Sequence, residues 1–392
     1  MALTVLLTGA TGALGPHLVT ELLRSEAIDR IYAVVRPDGA VGAERAGRSD
    51  RIDALWAAIT ALSAGDGLVE RARAGALVVI NGDLRQSDLG LDDRWLARLC
   101  HEVDVIVHAG ADTRFGNPAR ELHDTNVDGT RRLLQAAHRC RRLRHVILVS
   151  TICVAGTRTG SIVEQVEDAE PPFVNEYERT KWQAERLAVA SGLPVRIARL
   201  SICIGGERTG YVHRPGAVHH ALGWLIRGLI PMLPGARGSR VDLIGSDVAA
   251  QWIAKAAVTP VDRLDVCHIA AGERAIALDD LVAFVASHLR TRHPAWRARQ
   301  IDPPVIVSAE TFELFRRSAI RTGDAILGRV LESASSFLPV LLHPKVYRTE
   351  RAEQLWGGPL PTGDCRPTLA RVIGGLCTDS RSRLQDVEAS HV

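Results

Sequence analysis

The sequence predicts an α/β protein built on a doubly wound parallel sheet, with a smaller C-terminal lobe. Short continuous apolar runs recur through the first two hundred residues, and amphipathic helical patterns separate them. Strands that are apolar on both faces belong in a parallel sheet covered by helices on both sides. The runs are residues 4–7, 31–35, 77–80, 103–108, 145–149 and 195–200, and Leu14, Leu18 and Leu22 mark one face of the first helix. This alternation is that of a Rossmann-like domain.

The regular pattern breaks after Ile204. Residues 205–240 are rich in Gly and Pro, while 241–257 and 266–270 read as further elements packed on the sheet. From about residue 275 the pattern is mostly helical. The expected division is therefore a sheet domain over 1–205, to which 240–274 return, and a substrate-binding lobe from 206–239 and 275–392 over the carboxyl ends of the strands.

Composition narrows the function classes. Hydrophobic residues make up 46% and charged residues 24%, and the formal charge is +3, too small to imply a nucleic-acid partner. Cys100, Cys140, Cys153, Cys203, Cys267, Cys365 and Cys377 are odd in number and form no Cys-x-x-Cys pair. That usage suits a reduced, cytoplasmic protein. The fourteen histidines show no metal-binding spacing, and adjacent His219 and His220 point to different faces of a helix, so no metal is expected. The start lacks a basic signal-peptide region, and the greasy stretch 217–234 is too short and too polar to span a bilayer.

The first strand runs into Thr8-Gly9-Ala10-Thr11-Gly12-Ala13-Leu14-Gly15. Glycines at this spacing allow a tight turn, close approach of backbone to a pyrophosphate, and helix–strand contact. The helix expected from near Ala13 offers unpaired N–H groups and its positive dipole end to the phosphates. Position after a buried strand, at the head of a βαβ unit, is the context that gives the turn meaning. The second strand ends at Arg36, where an NAD site would place an acid; an arginine suits the 2′-phosphate of NADP(H). Nearby Asp38 keeps NAD(H) as the alternative.

Tyr177 and Lys181 lie four apart at the head of a helical stretch, on one face. A phenol of ordinary pKa ~10 is a poor catalyst at neutral pH, and a neighbouring ammonium is expected to lower it. The chain has four tyrosines and only three lysines, so a chance match carries low odds. Thr151 ends the strand beginning at His145, where a hydroxyl faces the ligand crevice and can stabilise oxyanion charge.

The glycine turn, strand-end hydroxyl and Tyr-x-x-x-Lys pair together resemble the extended short-chain dehydrogenases/reductases. Gly82-Asp83-Leu84, the run Val105 to Ala111, Phe115, Asn126 to Thr130, Trp182, Glu185, Arg199 to Gly205 and Asp247 are similar to the branch holding thioester reductase domains and male-sterility-type fatty acyl-CoA reductases. The likeness covers about residues 3–272. It implies that Gly9, Thr11, Gly12, Ala13, Leu14 and Gly15 hold the dinucleotide and Arg36 the 2′-phosphate. Asp83 and Leu84 would flank the adenine, and Ala109, Gly110 and Ala111 would line the ribose and pyrophosphate. Thr151, Tyr177 and Lys181 match the triad, with Lys181 bridging ribose and phenol; Asn126 matches a supporting residue, and Ile202 would lie near the nicotinamide. Gly110, Leu200 and Thr180 stand where alanine, proline and serine are usual.

The implied reaction is NADPH-dependent reduction of a carbonyl, foremost an acyl thioester, on CoA or an acyl-carrier protein, to an aldehyde or alcohol. Homodimers are usual in the superfamily. A ketoreductase or nucleotide-sugar epimerase keeps the same triad, and a non-catalytic dinucleotide-sensing scaffold keeps only the fold.

Overall fold

The computed structural model describes residues 2–37, 50–63, 65–236, 238–322 and 325–389; Asp38 lies outside them. Seven strands form one sheet: β1 (Leu3–Thr8), β2 (Ile28–Val35), β3 (Leu77–Asn81), β4 (Val105–His108), β5 (His145–Thr151), β6 (Val195–Leu200) and β7 (Asp265–Ile269). Every pairing is parallel, and the spatial order is β7-β6-β5-β4-β1-β2-β3. The chain thus winds outward from β1 in one direction and then, from β4, in the other. The switch point between β1 and β4 opens a crevice at their carboxyl ends.

Alternation along the strands splits the core in two. Leu3, Val5 and Leu7 of β1 face α1 (Gly15–Arg24), α2 (Asp50–Leu62) and the later helix Ser246–Val258, with Leu18, Leu22, Ile59 and Trp252 buried among them. Leu6 faces the opposite layer, where Leu99, Leu133 and Ala188 come from α3 (Asp93–Glu102), α4 (Gly129–His138) and α5 (Glu176–Ala190). The first helix begins at Gly15, two residues beyond the position read from sequence, because Gly12 and Gly15 are still closing the turn through Gly12 N–H to Gly9 O (2.9 Å) and Gly15 N–H to Gly12 O (3.1 Å).

A buried ion pair locks α5 to the sheet. Arg199 of β6 meets Glu185 of α5 with Nη2 to Oε2 at 2.7 Å and Nε to Oε1 at 3.0 Å, and the two side chains are 2% and 0% exposed. Ser150 of β5 donates to the same carboxylate at 2.6 Å. On the far side, His268 Nε2 takes an Arg199 N–H at 3.3 Å, which leaves its Nδ1–H for the Arg348 carbonyl at 2.8 Å. Burial and the Arg199 charge push His268 down to about 3 and keep it neutral.

Two smaller cores lie beyond the sheet. One gathers Leu222, Leu289, Trp296 and Ile373, from the helices Ala217–Ile226, Leu278–Arg292, Pro294–Ala298 and Arg366–Ala389. The other gathers Phe312, Leu331 and Leu338 around the helices Ala309–Arg321 and Ala325–Ser335. Residues 345–360 pack on the sheet instead. Strand Lys345–Tyr347 pairs with Gly160–Ile162, Ala352 and Leu360 join the core of α1, and Trp252 Nε1 donates to the Ala352 carbonyl at 3.0 Å. Buried Glu164 holds both partners together, accepting the N–H groups of His268 (2.8 Å), Arg351 (2.6 Å) and Ala352 (3.0 Å). No helix among the described residues is long and apolar enough to cross a membrane.

Removing one partner of a buried ion pair strands the other charge. Glu185→Ala is expected to lower unfolding free energy by about 3–5 kcal/mol, read as a fall in the urea midpoint at unchanged m-value; a change under about 0.5 kcal/mol, typical of surface sites, would contradict this role.

Candidate active site

The glycine turn sits directly under the loop that follows β4. Gly9 has φ +82°, and a Cβ there would lie 2.5 Å from the Ala109 carbonyl and 2.6 Å from the Gly110 nitrogen, so only glycine fits. A Cβ on Gly15 would meet the Ala10 carbonyl oxygen at 2.0 Å. Among the described residues, the N–H groups of Thr11, Ala13 and Leu14 have no acceptor, and they surround the positive end of α1. Such a cradle fits the pyrophosphate of a dinucleotide. At Gly110, which stands where alanine is usual, a Cβ would lie 2.8 Å from the movable end of the Leu84 side chain and 3.0 Å from Thr8 Oγ1.

At the end of β3, Asp83 is a buried carboxylate whose N–H donates to Leu89 O at 2.7 Å. Burial would raise its pKa, but the Arg85 guanidinium (2.6 Å) and N–H (3.0 Å) hold it below the usual carboxylate range. Leu84 follows, its carbonyl accepting from Arg132 at 3.1 Å. Arg36 is half-buried at the end of β2, within electrostatic reach of Arg51, Arg85 and Arg114 as well as Asp83. Several guanidiniums thus converge where β2 and β3 end.

A buried polar chain ties the glycine turn to the next element, and its proton directions are fixed by its ends. Gly110 N–H donates to Thr8 Oγ1 at 3.1 Å, and the Thr8 hydroxyl can then donate to His108 Nδ1 at 2.7 Å. The Thr130 hydroxyl donates to the Asn126 carbonyl at 2.7 Å, so His108 Nε2–H donates to Thr130 at 3.0 Å. Burial, with Lys181 nearby, pushes His108 down to about 3, as a neutral link requires.

Asn126 lies in a π turn, Asp124–Asp128, that interrupts the helix leading to α4. Its amide is fully used. Oδ1 accepts from Asp112 N–H (2.7 Å), and Nδ2 donates to the Asp112 carbonyl and the Thr180 hydroxyl (3.0 Å each). Thr180 in turn donates to the Tyr177 carbonyl at 2.9 Å. Asn126 thereby fixes the first turn of α5, which Asn175 caps by accepting from Glu178 N–H at 3.0 Å.

Thr151, Tyr177 and Lys181 come together at the carboxyl end of β5. Thr151 Oγ1 accepts from Cys153 N–H at 3.1 Å, and the Thr151 hydroxyl lies near enough to the Tyr177 phenol to favour its phenolate. Lys181, 4% exposed, donates to the Val149 carbonyl at 2.8 Å. Burial lowers its pKa to about 8, with Glu185 opposing. The expectation of a depressed phenol does not hold. Burial, with Cys153, Glu178 and Cys203 nearby, pushes Tyr177 above its ordinary value, and Thr151 is the group that favours its phenolate. The reason is geometric, since the Lys181 ammonium is committed to a backbone carbonyl of β5.

Ile202 lies two residues beyond β6, pairs with Leu243 and leans on the lobe core. Ser201 before it donates to the buried Asp242 carboxylate at 2.6 Å, which also accepts from Ala271 (2.8 Å) and Gly272 (2.9 Å). Sequence reasoning does not single out Asp242, nor Glu178 and Lys345. Burial raises Glu178 to about 7, opposed by the Val174 N–H (3.0 Å) and the Lys345 charge. The half-buried Lys345 donates to the Gly156 carbonyl, and burial lowers its pKa. The scarcity of lysine that flags Lys181 applies equally to Lys345. No group of His, Cys, Asp and Glu able to hold a metal occurs among the described residues.

A doubly wound sheet with a glycine-lined phosphate cradle and a Thr–Tyr–Lys cluster across the switch point defines an NAD(P)-dependent oxidoreductase of the extended short-chain dehydrogenase/reductase type. The model of the male sterility protein family, an NAD-binding family, matches residues 7–253. The chain belongs to that family. It is 34% identical over 215 residues to the isonitrile lipopeptide synthase of Streptomyces coeruleorubidus, covering 53% of this chain and 14% of that protein. With a component of the linear gramicidin synthase of Brevibacillus parabrevis it shares 29% over 290 residues, 71% of this chain and 5% of the other. The chain thus spans a small part of these relatives' length. Among solved structures, the terminal R domain of the myxalamid PKS-NRPS pathway superposes with a TM-score of 0.75 at 26% identity, over 97% of this chain and 92% of that one. The reductase domain of a Mycobacterium tuberculosis nonribosomal peptide synthetase gives 0.68 at 22%, over 96% and 93%, a likeness of fold.

The depressed Lys181 pKa has a signed consequence. An unfolded lysine titrates near 10.5 and the folded one at about 8, so between those values the unfolded chain holds a proton that the folded chain has released. The burial penalty is full below pH 8, and stability rises with pH across the window, by up to about 3 kcal/mol from this group. Urea midpoints at pH 7.5 and 10 for the wild type and Lys181→Met are expected to show this rise lost in the variant; identical slopes would contradict it.

Proposed function

We propose that this protein is an NADPH-dependent reductase of acyl thioesters, with the acyl group presented on CoA or on a carrier protein. The observation that carries the reading is the meeting of the Thr151 hydroxyl and the Tyr177 phenol beside buried Lys181, across the switch point from the glycine cradle. The similarity to synthase reductase domains supports the thioester over other carbonyls. A likeness of fold to a thiolation-reductase di-domain from an archaeal non-ribosomal peptide synthetase supports a carrier-borne substrate.

When bound, the nicotinamide supplies the hydride to the thioester carbonyl carbon. Thr151 and Tyr177 hold the carbonyl oxygen by hydrogen bonds, and Tyr177 passes its proton to that oxygen as the C–H bond forms. The resulting hemithioacetal collapses as its C–S bond breaks; the thiol leaves with a proton and an aldehyde remains. A second equivalent of hydride and proton would carry the aldehyde to an alcohol. Lys181, held on the Val149 carbonyl beside this site, would reach the ribose in the family's arrangement. Gly9, Thr11, Gly12, Ala13, Leu14 and Gly15 would cradle the pyrophosphate, Ala109, Gly110 and Ala111 would line the ribose side, Asp83 and Leu84 the adenine, and Ile202 the nicotinamide edge. Arg36 would hold the 2′-phosphate.

Two measurements test this. NADPH oxidation with acyl thioesters is expected for the wild type and to fall by about 10³-fold or more in Tyr177→Phe, in line with the loss of a general acid and an oxyanion donor, while NADPH binding persists. Turnover of a free ketone but of no thioester would overturn the substrate assignment. Arg36→Ala is expected to cost about tenfold or more in kcat/KM for NADPH, the worth of one charge-assisted contact, and to leave NADH use unchanged; equal losses with both would refute the 2′-phosphate role.

A further inference from the structure

Aromatic residues are only 4% of the chain, yet a connected run of rings starts at the reacting phenol and leads into the lobe. Phe115, in the loop after β4, stands edge-on to Tyr177 with centroids 5.2 Å apart at 83°. Phe337, between the helix Ala325–Ser335 and the turn Leu338–Leu342, follows at 6.1 Å. Trp224 of the helix Ala217–Ile226 stacks on Phe337 at 6.2 Å and 20°, and His220 stacks on Trp224 at 6.3 Å and 28°. The run therefore crosses from the sheet domain to two separate lobe segments. Asn175, the cap of α5, donates to the Ser336 carbonyl at 3.0 Å and so ties Phe337 to the helix that carries Tyr177. Tyr177, Phe115, Phe337 and Trp224 are all half-buried, and His220 is exposed, so the run is partly open to solvent along its length.

We infer that this aromatic run is the specificity wall for the acyl body of the substrate, which is long and apolar or arylated, not a two-carbon unit. The inference rests on the carbonyl-reductase reading of the same site. A thioester has two arms leaving its carbonyl, and chemistry decides which one follows the rings. Phe115 and Phe337 carry no polar atom, so a pantetheine arm laid along them would lose hydrogen-bonding partners for its amides. A hydrocarbon or aryl body gains instead, through apolar burial and offset or edge contacts with successive rings. An acetyl group cannot reach past Phe115. The same rings make Trp224 and Phe337 discriminate between substrates without touching the reacting atoms.

The test is NADPH oxidation with pantetheine thioesters of acetate, 3-phenylpropanoate and dodecanoate, beside the corresponding free aldehydes. The wild type is expected to favour the two apolar bodies by about tenfold or more in kcat/KM. Trp224→Ala and Phe337→Ala should each lose about tenfold on those substrates, mainly through KM, and less than about twofold on the acetyl compounds, the scale of one apolar contact. NADPH affinity should not move. Phe337→Leu keeps apolar bulk and guards against misfolding: it should hold most of the preference. Folded variants with an unchanged profile of acyl preference would overturn the wall. If thioesters are inert while the aldehydes show the expected preference and its loss, the wall stands and the thioester assignment falls. Turnover of neither series would overturn both.

Discussion

Everything at the active site hangs on the position of α5, and a buried ion pair sets that position. Glu185 sits two turns below Tyr177 and one below Lys181, and Arg199 takes it by the fork from β6, with Ser150 adding a third hydrogen bond from β5. Hydrophobic contact alone lets a helix slide or roll on a sheet, since dispersion and burial change little over an ångström. A guanidinium–carboxylate fork with no solvent to replace it does not. The charge cluster thus converts packing into registry: Lys181 lands under the end of β5 and Tyr177 over its last residue. His268 completes the arrangement by staying neutral. A protonated ring at that place would face Arg199 with a like charge and lose the acceptor that the fork uses.

A second constraint ties the cofactor side to the catalytic side. The chain Gly110, Thr8, His108, Thr130, Asn126 has one consistent set of proton positions, and Asn126 carries it on to Thr180 and the Tyr177 carbonyl. Displacing the phosphate turn by even a few tenths of an ångström would lengthen several of these bonds at once. The π turn at Asp124–Asp128 belongs to the same device, as it presents the Asn126 carbonyl to Thr130 while its amide reaches the loop after β4. Asn126 is accordingly a positioning residue, with every amide atom engaged by protein.

The sheet is legible in the sequence because its strands are apolar on both faces, a pattern that needs no partner to be recognised. The runs 4–7, 77–80 and 195–200 match β1, β3 and β6 to within a residue. The start of β2 at Ile28 is not legible, since Asp29 and Arg30 interrupt the apolar run yet still extend the strand beside β1 and leave their side chains at the edge. The span 241–257 resolves into the end of the strand Arg240–Val241, the strand Leu243–Ile244 and, after a single glycine, the helix Ser246–Val258. Within the site, Tyr177, Lys181 and Thr151 declare themselves through spacing and strand position. Glu164, Asp242, Lys345 and Phe337 do not, because each acts on residues far along the chain: Glu164 reaches His268 and Ala352, and Asp242 joins Ser201 to Ala271. Contacts across such separations leave no local period to read.

The electrostatics of the pair favour one direction of chemistry. A phenol held above its ordinary pKa stays protonated across the neutral range, so it enters each turnover as a donor and serves poorly as a base. The alkoxide developing on a carbonyl carbon that has accepted hydride is a stronger base than any phenolate, so the proton transfer runs downhill despite the raised value. Lys181, which burial lowers to about 8, is held on the Val149 carbonyl one turn further along α5. The oxidative direction would need the phenol deprotonated before hydride leaves, against both burial and the neighbouring Glu178 and thiols. A phenol kept protonated in this way suits the proton donation that the proposed reduction requires.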